Sequence, residues 1–141
     1  MSTAHIPAEL RRLVHARAGG RCEYCLAPAE LGFHAHQVDH IIAQKHGGET
    51  VAENLAMSCI ACNQFKGSDL SSLDPANKEL VALFHPRQQA WRDHFELRGL
   101  FIVPKTAVGR VTVNLLQFNA PERIIEREWF VAAGAYAEAG L

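Results

Sequence analysis

Four cysteines stand in two pairs, Cys22-x-x-Cys25 and Cys59-x-x-Cys62, and the chain has no others. Two thiolates separated by two residues can grip one ion while the backbone turns over it, and two such pairs match the tetrahedral all-sulfur site of Zn²⁺. Four protein ligands close such a site to substrate. Its work would be structural, with metal-binding energy serving as folding energy. Iron in a four-thiolate site uses the same donors, and soft ligands alone do not separate the two metals. Four cysteines packed as small hydrophobes would need no paired spacing. Residues 26–58 lie between the pairs, so a structural unit must fold inside the gap.

That gap and the residues just after it carry a second kind of chemistry. Asp39-His40 precedes Ile41-Ile42, His46 precedes Gly47-Gly48, Asn54 follows Glu53, Asn63 follows Cys62, and Lys66 follows on the same segment. Hydrolysis of a phosphodiester needs an activated water, neutralisation of phosphate charge and help for the leaving oxygen. A hard divalent cation on oxygen or nitrogen ligands supplies the last two. A neutral imidazole can take a proton from water near neutral pH. Adjacent strand residues point to opposite faces, so Asp39 can face a metal while His40 faces water. Asn63 would be anchored by the neighbouring thiolate site, and Lys66 would share its helix face. The pattern points to metal-dependent cutting of nucleic acid.

Asp39-His40-Ile41-Ile42, His46-Gly47-Gly48, Glu53-Asn54-Leu55 and Cys59-Ile60-Ala61-Cys62-Asn63-x2-Lys66-Gly67 resemble the zinc-stapled, four-cysteine branch of the HNH endonucleases. The match covers about residues 21–67. The resemblance implies an α+β fold with a ββα-metal (His-Me finger) core. It also implies that His40 is the general base, that Asp39 and Asn63 hold the catalytic divalent cation, and that Asn54 braces the hairpin loop and so orients His40. Lys66 and His46 become candidate substrate contacts. The implied cofactors are a structural Zn²⁺ on Cys22, Cys25, Cys59 and Cys62 and a catalytic Mg²⁺ or Mn²⁺. Many relatives carry His where this chain has Asn63; Asn is the weaker ligand and favours hard ions. Many also carry Pro where this chain has Ala43, which predicts a slightly looser loop. The lead-in from Arg11 to Cys25 resembles that of bacterial members, and the segment from Leu83 to Arg110 resembles an extension on some small relatives.

The elements that must position these residues follow from local pattern. Pro7 suits a helix start, and Gly19-Gly20 stops a run with Leu10, Leu13 and Val14 at helical spacing, predicting a helix at about 7–18. Residues 35–42 read as a strand, Gly47-Gly48 as a turn, and Leu55 to Ser58 as the returning strand. From Cys59 the second knuckle becomes a helix that Gly67 ends. Residues 69–77 are polar and turn-rich and read as a linker or surface loop. Beyond them the pattern predicts a short helix over 86–97, a strand over 100–103, and helices over 106–118 and 121–136. Val111 to Leu115 would also suit a strand, and Gly134 stops the last helix early if it breaks it.

At 141 residues and 48% hydrophobic the chain has a one-domain length and can supply a core. No apolar run approaches the roughly 18–20 residues that span a bilayer. The N-terminus shows no apolar signal region, which predicts a cytoplasmic protein and thiols kept reduced. The net charge of −1 gives little sequence-independent affinity for nucleic acid. Local cations must therefore contact DNA: Lys66, then Arg11, Arg12, Arg17 and Arg21, and the group from Arg87 to Arg110. A homodimer or a partner subunit is the other source of affinity. His34 and His36 share a strand face but read more simply as surface or core residues, as do His85 and His94. Trp91 and Phe95, at i and i+4, read as core, with base stacking by Trp91 as the alternative. The rival class is a non-catalytic zinc-stabilised nucleic-acid-binding module, which could dispense with Asp39, His40 and Asn63.

Overall fold

The computed structural model describes residues 5–32 and 34–141. Helix α1 (Ala8–Ala18) starts after Pro7, whose φ of −56° is set by its ring, and ends where Gly19 takes a left-handed φ of 63°. Strands β1 (Gln37–His40) and β2 (Leu55–Ser58) pair antiparallel with Val38 opposite Met57, Asp39 opposite Ala56 and His40 opposite Leu55. Helix α2 (Ile60–Lys66) follows at once, with Cys59 as its N-cap residue and Gly67 beyond its end. The expected helix, hairpin and short helix thus all form, with β2 over the predicted residues.

Alternation in β1 assigns the two faces of this hairpin. Val38, Leu55 and Met57 pack with Ile6 and Val14 in a small apolar cluster that seats α1. Gln37 and Asp39 lie on the other face, toward α2, where the Asn63 side-chain Nδ2 donates to Gln37 Oε1 at 2.8 Å.

The chain after α2 departs from the expectations in two places. The polar segment 69–77 is not simply a loop. It contains β3 (Ser71–Leu73), which pairs with β4 (Leu80–Ala82). The buried Asp74 closes this hairpin by accepting from Ala76 N and from the Arg110 guanidinium. The predicted helix over 86–97 shrinks to α3 (Trp91–His94), and Phe95–Arg98 become β5, paired with β6 (Phe101–Pro104). The spacing of Trp91 and Phe95 that suggested one helix is met across the helix–strand junction, where their rings stack with centroids 5.1 Å apart.

Helix α4 (Ala107–Leu115) is capped by the Thr106 hydroxyl, which accepts from Gly109 N at 3.1 Å. Gly109 is required here: a Cβ would fall 2.2 Å from His94 O. Helix α5 (Pro121–Ala132) begins on Pro121, and Gly134 in the left-handed region separates it from α6 (Ala135–Glu138). One apolar cluster then runs from the cysteine knuckles through Phe84, Phe95, Ile102, Val111, Leu116, Phe118 and Phe130 to Tyr136. The C-terminal extension and the knuckles share this core.

Candidate functional site

The four sulfurs come together. Cys22, Cys25, Cys59 and Cys62 are all buried, and their Sγ atoms lie within 4.8 Å of one another. Cys25 Sγ and Cys59 Sγ are 3.7 Å apart. A tetrahedral Zn²⁺ with bonds of about 2.3 Å needs sulfurs about 3.8 Å apart, so the quartet fits the ion. Each knuckle turns its own amides onto sulfur: Tyr24 N and Cys25 N lie 3.4 and 3.5 Å from Cys22 Sγ, and Cys62 N lies 3.4 Å from Cys59 Sγ. Burial pushes the Cys22 and Cys62 thiols up, whereas hydrogen bonds from Cys22, and then from Cys59 and Cys62, hold Cys25 well below the usual thiol range. The buried guanidinium of Arg123 adds two more donors, at 3.5 Å from Cys59 Sγ and 3.3 Å from Cys62 Sγ. Among the described residues this quartet is the one group of three or more His, Cys, Asp or Glu side chains placed to hold a metal. His34 is exposed, and His36 puts Nε2 2.9 Å from Ala27 O, so neither joins it.

The second constellation surrounds the loop between β1 and β2. His40 is 3% exposed, with Nε2 2.8 Å from Thr50 Oγ1 and a buried Nδ1 that has no partner among the described residues. Asn54 closes the loop from within. Its Oδ1 accepts from Ile42 N, and its Nδ2 donates to Ile42 O and Glu49 O, each at 2.9 Å. Gly48 makes this possible, because a Cβ there would stand 1.7 Å from Ile42 O and 2.8 Å from Asn54 Nδ2. Ala43 has φ −62° and ψ 153°, the conformation a proline would fix, so the missing ring leaves the path of the chain unchanged here. His46 is exposed, with Nε2 3.0 Å from Ser68 O, which ties the loop to the end of α2.

These two sites occupy one continuous stretch. Residues 22–69 match the family model described as HNH endonuclease. Over this segment the chain is similar to the HNH endonucleases. No curated protein and no solved structure matches the chain. The match supports a nuclease-type hydrolase at the level of the family. Within it the cysteine quartet is built to hold a metal and suits zinc. Among the described residues no helix is long and apolar enough to cross a membrane.

Several of the side chains expected to contact substrate have partners within the chain. Lys66 is 6% exposed, and its ammonium donates to Ile41 O at 2.8 Å, holding the last turn of α2 to the residue after β1. Burial lowers its pKa, and the nearby Asp39 carboxylate partly opposes that. Lys66 is thus an internal tie rather than an outlying cation. Several arginines also have partners within the chain, although Arg17 and Arg92, unlike Lys66, stay exposed. Arg17 bonds Ala52 O and Leu55 O, Arg21 bonds Leu26 O and Ala135 O, and Arg87 pairs with Glu23. Arg92 bonds Ala139 O and Gly140 O, and Arg110 pairs with Asp74. Trp91 is half-buried with Nε1 donating to Tyr24 O at 2.8 Å and its ring against Phe95, in line with the core reading.

Three residues of these sites were not singled out in the sequence. Gln37 sits two before Asp39 on the α2 face, and simple alternation would have found it. Thr50 and Arg123 gave no local signal, since each meets its partner only through the fold.

Proposed function

We propose that this chain is a metal-dependent endonuclease that hydrolyses DNA phosphodiester bonds at a ββα-metal core formed by β1, β2 and α2. The observation that carries this reading is the setting of His40. Thr50 engages Nε2 and leaves the buried Nδ1 as the ring nitrogen without a partner among the described residues, within the segment that matches the HNH model. If Nε2 carries the proton and donates to Thr50, the Nδ1 lone pair is the base that takes a proton from water. Asn54 fixes the loop on which Thr50 sits, by spanning Ile42 and Glu49, and so acts as a positioning residue.

Asp39 and Asn63 would hold the catalytic cation. They offer a carboxylate and an amide oxygen, and Asn63 reaches the Asp39 face of β1 through Gln37. Such a hard and sparse donor set suits Mg²⁺ or Mn²⁺, which keep several water ligands and share phosphate oxygens. The bound ion would neutralise phosphate charge and stabilise the leaving oxygen. The quartet would hold Zn²⁺, fixing the start of α2 and with it Asn63. Lys66 supports the same geometry from the other end of α2, and exposed His46 is a loop residue able to meet a phosphate.

The internal engagement of the arginines favours a further element. With a net charge of −1 and these cations tied to carbonyls and carboxylates, DNA affinity would come from a second copy or a partner subunit. Plasmid cleavage tests the reading. With Mg²⁺ or Mn²⁺ the parent chain nicks or linearises plasmid, whereas His40→Ala loses on the order of 100-fold or more in rate. Zinc content should stay at the parent value. Equal cleavage by the purified variant would remove the base assignment and favour a zinc-stabilised binding module.

A further inference from the structure

We infer that the C-terminal extension completes the cysteine site as its outer shell, and that Arg123 of α5 is the residue that stabilises the metal–thiolate charge. The inference rests on the quartet holding a metal and extends beyond catalysis.

A dication on four thiolates leaves a double negative charge in a site whose sulfurs are all buried. A charge taken out of water needs a partner or several hydrogen bonds. The first knuckle largely provides its own, with two amides on Cys22 Sγ. The second knuckle is poorer: among the described residues its one such amide is Cys62 N on Cys59 Sγ. Arg123 makes up the difference. It is 7% exposed, donates through Nη2 to both Cys59 and Cys62, and is anchored through Nη1 to Leu116 O at 2.8 Å. Its guanidinium also stands 5.7 Å from the centre of the Phe118 ring. Among the described residues it forms no ion pair with a carboxylate. A guanidinium buried against neutral thiols would be costly; against metal-bound thiolates it is neutralising.

The remaining grips of the extension fall on the first knuckle. Trp91 Nε1 donates to Tyr24 O at 2.8 Å, Tyr136 Oη donates to Cys25 O at 3.2 Å, and Arg21 reaches Ala135 O. The extension therefore closes over both knuckles, and one of its residues touches the sulfurs.

Arg127 provides an internal control. It lies one turn along α5, is 3% exposed, and bonds the main-chain oxygens of Leu100 and Phe118. The experiment compares parent, Arg123→Met, Arg123→Lys and Arg127→Met as full chains. Zinc release to a chelating metallochromic indicator is followed first. Loss of an outer-shell partner of a metal ligand typically weakens metal affinity by about 10- to 100-fold. Arg123→Met should therefore release zinc faster by a factor in that range. Arg123→Lys, which keeps the charge but not the fork, should lie between it and the parent. Arg127→Met should stay near the parent. In the Co²⁺-loaded chains, removing N–H···S bonds raises the sulfur donor orbitals. The thiolate-to-metal charge-transfer band should move to longer wavelength in both Arg123 variants and stay in place in Arg127→Met. Parent-like release and an unmoved band in both Arg123 variants would overturn the inference. So would equal acceleration in Arg127→Met, which would mark general loosening of the extension. A parent chain that binds neither Zn²⁺ nor Co²⁺ at the cysteines would instead remove the underlying metal site.

Discussion

At the knuckles, every sulfur is buried and meets amides, a guanidinium or another sulfur. In the loop after β1, by contrast, His40 keeps one ring nitrogen without a partner among the described residues, and Asp39 is only half-buried beside it. Both regions lie within the segment that matches the HNH model and are joined through Cys62 and Asn63, consecutive residues of α2. The contrast sets a fully engaged cluster beside a buried histidine with one ring nitrogen still unengaged. Complete satisfaction of the cysteine quartet makes α2 a fixed reference. Asn63 and Lys66 then tie that helix to β1 and to the residue after it.

The comparison breaks most visibly at the knuckles. Cys59 is both a metal ligand candidate and the N-cap of α2. Structural zinc carries roughly 10–16 kcal/mol of apparent binding free energy. Cys59→Ser should therefore lose the zinc and with it cooperative unfolding of the domain, seen as loss of a sharp thermal transition and of stoichiometric metal. A variant that keeps its transition without metal would show the quartet to be ordinary core.

A smaller effect is expected in the loop. Asn54→Ala strands the Ile42 amide and the carbonyls of Ile42 and Glu49. The cost should be about 2 kcal/mol, since buried groups left unmade cost about 1–3 kcal/mol each and the loop can partly relax. Cleavage should fall further than stability implies, on the order of 100-fold, because displacing the loop displaces Thr50 and His40. Chemical denaturation and plasmid cleavage measured together would show whether the two losses separate; equal parent-like cleavage would deny Asn54 a positioning role.

The smallest effect lies in the extension. Hydrogen bonds from Arg110, and then from Ala76 N, hold the Asp74 carboxyl below the usual carboxylate range. A depressed folded pKa gives stability that is complete above the unfolded value of about 3.9 and is lost as pH falls through the folded value. The stability difference between the parent and Asp74→Asn should be constant near neutral pH and shrink below about pH 4. Zinc loss in acid affects both chains alike. A difference independent of pH down to the folded pKa would mean that the carboxylate charge contributes nothing.

Much of this contrast was legible in the sequence because it is carried by short-range pattern. The paired cysteines, the helix before Gly19, the strand from Leu55 to Ser58 and the glycine-dependent loop each declare themselves within a few residues. The extension was less legible because its determinants are long-range. Strand β3 reads as polar turn until β4 pairs with it and Arg110 meets Asp74. Phe95 reads as a helical neighbour of Trp91 until β6 claims it as a strand residue. Arg123 and Arg127 occupy the inward stripe of α5 with Phe130, and charged residues there default to solvent when only composition is considered. The burial of Lys66 was hidden in the same way, because its partner Ile41 O lies 25 residues earlier in the chain.

The central claim is that one metal holds the fold while another serves the chemistry. Desalting the zinc-loaded chain into metal-free buffer, then assaying plasmid cleavage before and after adding Mg²⁺ or Mn²⁺, tests it most directly. The account predicts one zinc per chain throughout, no cleavage in metal-free buffer, and cleavage restored by the added ion. Cleavage that persists without added metal and tracks the zinc content would contradict it.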